Sequence, residues 1–333
     1  MATRCPSSGP NDPLPPGIEG DSLWIAPARA EDYPPGREPP SILVLTKDEE
    51  VNIEDCLATL AFSDDIVVLD SYSTDRTGEL ARRFPGVRFI KRTFDTWSKH
   101  SNWALENIHF KHRWVYYSDA DERMPPALRD EIVGRINDPA QPHAAFRLKY
   151  QNMFLGRWIR RGGLYPVWII RLFRPDLIRY EDREVNAHPV VQGSLGDLDN
   201  DFIHYSFNKG LLPWYHKHNA YSDMEANEAV RIITAESAWE KVKKLGSRRP
   251  GVGRRALKDL SFFMPVRGIL RFMYMYLLRL GILDALPGFH YALMISMYEY
   301  WIEVKIRERR SRWREETERT VERLLAEGEG AGR

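Results

Sequence analysis

Between residues 41 and 122 four short apolar runs, SILVL, DIVVLD, VRFI and WVYYSD, alternate with helix-like segments, VNIEDCLATL, STDRTGELARRF and TWSKHSNWALENI. No other feature restricts the fold as much. Strands that are apolar on both sides must be covered on both faces, and helices between consecutive strands supply that cover, so the pattern predicts an α/β parallel sheet wrapped by helices. In such sheets ligands bind beyond the carboxyl ends of the strands. Acids stand at that edge: Asp70 closes DIVVLD, and Asp119 and Asp121 close the run through WVYYS. Residues i and i+2 can turn the same way, and two carboxylates so placed suit a hard divalent ion such as Mg or Mn, which would neutralise a diphosphate.

Length and charge remove several other classes. At 333 residues the chain can bury a sizeable core without covalent staples. Its 48 Lys and Arg against 47 Asp and Glu leave a net charge of +1, without the global attraction that nucleic-acid binders use. Cys5 and Cys56 form neither a disulfide framework nor a metal motif, which predicts a reducing compartment. No secretory signal is visible, and the longest uncharged apolar stretch, residues 285–298, is too short to span a bilayer. TKDEEVN follows the first strand where a dinucleotide-binding GxGxxG or a triphosphate-cradling loop would stand, and Arg123 after the acids breaks the DxDx(T/V) phosphatase pattern. GxSxG, HxxxH and CxxC are absent.

Three regions are expected. Ten of the 22 prolines fall in residues 1–40, which predicts a disordered leader. Residues 41–240 form the α/β domain. Residues 241–333 hold a basic linker, with eight Lys or Arg and no acid in residues 241–258, then an amphipathic helical hairpin and a charged helical tail. Arg267, Arg271 and Arg279 fall within about 120° on a helical wheel. With Tyr274, Tyr276, Tyr291, Tyr298 and Trp301 they read as an interfacial anchor on an anionic membrane surface, the alternative being a hairpin packed on protein.

Taken together and in order, SILVLTKDEE, DSYSTDRTGELARRF, HSNWALEN and YYSDADE resemble the family-two glycosyltransferases, whose catalytic domain has the GT-A fold for nucleotide-diphospho-sugars. The resemblance implies donor binding around Thr46, Lys47 and Glu49, base and ribose contacts at Asp70, and contacts to a divalent metal (Mg or Mn) and diphosphate at Asp119 and Asp121. By residue chemistry Lys99 can meet a phosphate and Asn102 can donate and accept, with a surface-helix role equally open for both. Further on, GRWIRRGGLYPVWIIRLFRP, REVNAHPVVQG, DFIHYSFNKG, KHNAYSDMEA and LRLGILDALPGFHYAL look like bacterial enzymes of lipopolysaccharide-core and exopolysaccharide assembly. Those are inverting hexosyltransferases at the cytoplasmic face of the inner membrane, so the resemblance implies a UDP-sugar donor, a lipid-linked saccharide acceptor and a peripheral membrane location.

Inverting transfer needs a base, and in the resembling enzymes an acid commonly stands where this chain has Ala187. Glu184 is the first candidate to replace it, ahead of Glu181 and Asp182; the alternative is a catalytically silent, membrane-associated scaffold that keeps the fold. His188, His204 and His218 lie in the same motifs and could complete a Mn site or serve structure, and Arg171 could meet a phosphate or pair with an acid.

Overall fold

The computed structural model describes residues 13–181, 188–235, 262, 266–310 and 319, and the chain divides into two compact units, Met1–Lys209 and Gly210–Arg333. In chain order the first unit contains β1 (Ile18–Gly20), β2 (Ser41–Thr46), α1 (Ile53–Leu60), β3 (Ile66–Asp70), α2 (Thr77–Ala81), β4 (Val87–Arg92), α3 (Trp97–Asn107), β5 (Val115–Asp119) and β6 (Glu122–Arg123). It continues with α4 (Pro126–Ile136), β7 (His143–Phe154), β8 (Arg157–Trp158), β9 (Trp168–Phe173), β10 (Ile178–Tyr180), β11 (Pro189–Val191) and β12 (Ser194–His204). Ten strands make one mixed sheet in the order β1-β4-β3-β2-β5-β9-β7-β12-β6, with β8 on β7.

The alternating segments after Ser41 form the parallel half, β4-β3-β2-β5. Ile42, Val44, Ile66, Val68 and Tyr116 face one side and bury Cys56 and Leu57 of α1, Leu80 of α2 and Leu128 and Ile132 of α4. Leu43, Val67, Leu69, Val115 and Tyr117 face the other and bury Ala104 and Leu105 of α3. Each strand is thus buried on both faces, the physical reason its residues are apolar without alternation. β9 runs antiparallel to β5 and β7, and β12 runs parallel to β7. The carboxyl ends of β2, β3, β5, β7 and β12 and the start of β9 therefore share one edge.

The expectation of a disordered leader over residues 1–40 is corrected for residues 13–40. β1 adds to the free edge of β4 with Ile18 opposite Arg92 and Gly20 opposite Ile90. Strand addition uses the backbone of β4 and needs no hydrophobic periodicity of its own. At Gly20, with φ +117°, a Cβ would lie 2.0 Å from the Phe89 carbonyl oxygen, so only glycine permits the approach. Leu23 is buried beyond it, and the Asp21 carboxylate accepts from the Phe89 amide at 2.7 Å.

The second unit, which begins at Gly210 and not at 241, consists of α5 (Leu211–Ala235), α6 (Arg267–Phe272), a π turn (Met273–Leu278), a 3-10 turn (Gly281–Asp284) and α7 (Ala285–Arg310). Ala226 and Ala229 of α5 pack with Ile302 and Ile306 of α7 and with Phe262. Glu303 accepts from the Val266 and Arg267 amides at 3.2 and 3.0 Å, holding the start of α6 to α7. Arg267, expected on an exposed polar face, instead pairs with Glu299 at 2.5 Å, because the two helices pack and the pair lies between them. Around the turns Ile269, Leu278, Leu283 and Leu286 stay exposed, each by 64% or more. Among the described residues no helix is long and apolar enough to cross a membrane. The basic run 241–258 lies outside the described residues.

Candidate active site

The register sets Thr46 beside Asp70 and Leu45 beside Asp119, so the acids expected at the strand ends do share one edge. They do not share one role. Asp70 is fully buried and accepts from the Thr46 hydroxyl (2.8 Å), the Ser73 amide (2.7 Å) and the Ser73 hydroxyl (2.5 Å). Its neighbours DSYSTDRT knit themselves to the first loop, TKDEE. The Asp48 amide donates to Ser73 Oγ at 2.8 Å, the Thr74 amide to Asp48 Oδ1 at 2.7 Å, and the Glu49 amide to Thr77 Oγ1 at 2.7 Å. These bonds hold Asp48 and Tyr72 at positive φ, 52° and 58°, which costs a non-glycine residue about 1–3 kcal/mol. Thr46 and Asp70, expected to touch the donor, make these hydrogen bonds within the protein and so build the first loop.

Asn102 is likewise engaged within the protein. Its amide brackets one backbone position, donating to the Tyr180 carbonyl and accepting from the Tyr180 amide, both at 2.8 Å, so its polar atoms fix β10 to α3. Lys99 is exposed in the first turn of α3. Lys47 is half exposed and donates to the Tyr72 carbonyl at 2.7 Å. Glu49 is held by Lys209 Nζ at 2.5 Å and Asn52 Nδ2 at 2.9 Å. Burial pushes its carboxyl up, Lys209 and Asn52 oppose this, and the field of Asp121 adds to the rise, which puts Glu49 near the second acid.

Asp119 keeps 38% of its side chain exposed while accepting from the Tyr117 hydroxyl and from Arg171 Nη2, both at 2.6 Å. The same Nη2 bonds Glu122, which is almost fully buried. Burial pushes the Glu122 carboxyl up to about 8, with Arg171 pulling it back. One guanidinium thus serves two carboxylates, and burial favours protonation of Glu122, which brings the cluster towards neutrality. Arg171 also lies 4.3 Å over the Tyr117 ring. Of its two expected roles the structure selects pairing with acids.

Asp121 points elsewhere. After it, β6 pairs with the end of β12, Glu122 opposite His204, and this sets His204 Nε2 3.3 Å from Asp121 Oδ2. Burial alone would push the imidazole down, but the Asp121 hydrogen bond and the surrounding carboxylates raise it overall. Both side chains are a quarter exposed. Among the described residues no three His, Cys, Asp or Glu converge to hold a metal ion. Mg and Mn sites that bind nucleotides nevertheless commonly use one or two protein ligands plus phosphate oxygens and water. Asp121 with His204 beside it would offer such an ion at most two protein ligands, and His204 would first give up the Nε2 proton it shares with Asp121. Glu184, Asp182 and Ala187 lie outside the described residues. His188 is exposed, and His218 belongs to the second unit, where it donates to the Trp214 carbonyl and stacks on that indole. Sequence reasoning missed Glu122, Tyr117 and Lys209, whose roles depend on partners far along the chain.

Residues 41–189 match the family model described as Glycosyl transferase family 2. Among curated proteins, the lipopolysaccharide core biosynthesis glycosyltransferase LpsC of Rhizobium meliloti (strain 1021) is 24% identical over 201 residues, covering 58% of this chain and 72% of LpsC. Among solved structures, S. aureus TarS 1-349 in complex with UDP-GlcNAc is similar with a TM-score of 0.37 and 17% identity, covering 81% of this chain and 92% of that one. Glucosyl-3-phosphoglycerate synthase from Mycobacterium tuberculosis, in complex with Mn2+ and UDP-glucose, is similar with a TM-score of 0.28 and 20% identity over 35% of this chain and 44% of that one.

Proposed function

We propose, from the premise that residues 41–189 are a family 2 glycosyl transferase domain of GT-A architecture, that this glycosyltransferase moves a sugar from a nucleotide-diphospho-sugar to a lipid-linked saccharide with inversion. One observation carries the reading: Asp119 and Asp121 emerge side by side at the ligand-binding edge, each held by its own partner, Arg171 and His204. Asp121 and His204 would hold a divalent ion, which when bound would supply charge neutralisation for the leaving diphosphate. Asp119, fixed by Arg171 and Tyr117, keeps its exposed surface for the hydroxyls of the donor. Lys47 and Lys99, the exposed cations of the loop and of α3, are assigned to donor phosphate oxygens.

The acceptor hydroxyl oxygen forms the new bond to the anomeric carbon, the bond from that carbon to the diphosphate oxygen breaks, and the electron pair leaves with the nucleotide. Glu184 takes the hydroxyl proton, a contribution of about 10²- to 10⁴-fold. The similarity to LpsC, a lipopolysaccharide core biosynthesis glycosyltransferase, supports a lipopolysaccharide acceptor, while the wider lipid-linked or exopolysaccharide class rests on the sequence motifs alone. The exposed leucines of the second unit support contact with a membrane surface, and the inner face of the plasma membrane is assigned from the sequence resemblance.

The test is a UDP-sugar panel in thermal shift with Mn. Donor at 100 times its Kd should stabilise by about 2.7 kcal/mol, and Asp121→Ala should lose the Mn-dependent part. Binding that is equal with and without Mn in both proteins removes the metal assignment. Glu184→Gln should keep donor binding and lose turnover; unchanged turnover discards Glu184, and absence of turnover in every wild-type reaction favours the silent scaffold that Ala187 suggests.

A further inference from the structure

The segment between β7 and β9 carries rings and guanidinium groups that donor binding does not use. β7 runs on past Asn152, which lies opposite His204 in register and accepts from Ser206 Oγ at 2.8 Å. It turns through Leu155 and Gly156, both at positive φ, and returns as β8 with Trp158 opposite Met153. The Ile159 amide donates to the Asn152 carbonyl at 2.9 Å. Trp158 thus stands at the same sheet edge as His204. Tyr165 meets the Trp158 ring edge-on at 5.0 Å and donates to Asp201 Oδ2 at 2.9 Å, on β12 just before His204. Trp168, 37% exposed, begins β9 at that edge.

From Leu155 to Trp168 the sequence LGRWIRRGGLYPVW holds three arginines and no acid. Arg147 and Lys149, each 5.0 Å from the Trp168 ring, have their own carboxylates, Asp197 and Asp201. Arg157 and Arg160 are exposed, and among the described residues neither has a carboxylate partner; Arg160 rests 4.5 Å over the Trp158 ring. The Trp158 indole N–H is buried without a hydrogen-bond partner among the described residues. An indole face suits the CH face of a pyranose, and its N–H needs an acceptor. A planar guanidinium with no internal carboxylate suits a phosphate or a carboxylate.

We propose that Trp158, Trp168, Arg157 and Arg160 form an acceptor subsite for an acidic saccharide, one bearing a phosphate or a carboxylate. The rings stack on the sugar and the arginines take its anionic group. This rests on the glycosyltransferase reading and adds the chemical class of its acceptor. Anionic lipid headgroups share the charge but not the pyranose face, and the two rings are what favour a sugar.

The test measures glucose, glucose 6-phosphate and glucuronate against the full chain by saturation-transfer NMR, with UDP-sugar binding in Mn followed on the same samples. Wild type should prefer glucose 6-phosphate over glucose by about tenfold, the scale of one charge-assisted hydrogen bond, with glucuronate between them. Arg157→Ala with Arg160→Ala should erase the preference and leave UDP-sugar binding unchanged, whereas Trp168→Ala should weaken all three sugars. Equal binding of the neutral and phosphorylated sugar, or a preference that survives in the double variant, overturns the proposal. So does a double variant that loses only its binding to phosphatidylglycerol vesicles. If UDP-sugar binding fails while the preference for glucose 6-phosphate holds, the transfer reading falls and the acidic-saccharide site stands.

Discussion

Replacing Arg171 by methionine isolates the charge of the buried cluster, because the thioether keeps a stem of similar volume between Tyr117 and Phe202. Two carboxylates lose their cation, and they differ in exposure. Asp119 is 38% exposed and recovers water, so its share is small. Glu122 is 2% exposed and does not. Leaving one member of a buried pair alone costs about 3–5 kcal/mol. Glu122 already leans towards its protonated form, which puts the expected loss for Arg171→Met near the bottom of that range, about 3 kcal/mol. Adding Glu122→Gln removes the uncompensated charge, so the double variant should return to within about 1 kcal/mol of wild type. Urea unfolding read by hydrogen exchange at β5 and β9 amides confines the measurement to the first unit. A double variant as unstable as the single one would refute the reasoning, since the loss would then come from packing. Donor affinity should separate from stability: it falls in Arg171→Met and stays low in the double variant, because Asp119 then keeps only its Tyr117 bond.

Two other regions give predictions of different kinds. Asp64 accepts from Tyr33 and Lys111, each at 2.5 Å, and bonds His112 Nε2 at 2.7 Å, tying Tyr33 and the loop before β3 to the loop between α3 and β5. Partial burial opposes its ionisation, but Lys111, Tyr33 and His112 outweigh that and pull its carboxyl from 3.8 to about 2. A depressed acid contributes stability above its unfolded value and loses it as pH falls through the folded one. Asp64→Asn should therefore have a lower urea midpoint than wild type at pH 7, with the gap closing between pH 4 and pH 2; a gap that stays constant would reject the assignment. In the second unit, Leu283→Asp with Leu286→Asp should cut sedimentation with phosphatidylglycerol vesicles by about tenfold or more, the worth of one leucine leaving an apolar phase. Unchanged sedimentation would show that these side chains do not meet the lipid.

What could be read along the chain, and what could not, follows from how far apart the causes lie. Asp119 and Asp121 were legible because a strand apolar on both faces announces its own end, and its end in such a sheet is where ligands sit. Asp70 satisfies the same local rule, Asn102 lies on the exposed-looking helix beside it, and both still spend their polar atoms inside the protein. Their orientation depends on third residues, Ser73 for one and the Tyr180 backbone for the other, 78 positions from Asn102, and no local pattern contains that. The pairing of Arg171 with Glu122 spans 49 positions and exists only because β9 enters antiparallel beside β5. His204 reaches Asp121 by the same kind of accident of register, through the two residues of β6. The leader was misread for the opposite reason. β1 buries little of its own and borrows the hydrogen-bonding edge of β4, so composition alone cannot report it. The carboxylates that look interchangeable in SDADE are therefore distinguished by partners brought in from β9 and β12. Because Asp119 answers to Arg171 and Asp121 to His204, substitution of either partner should impair one carboxylate and spare the other.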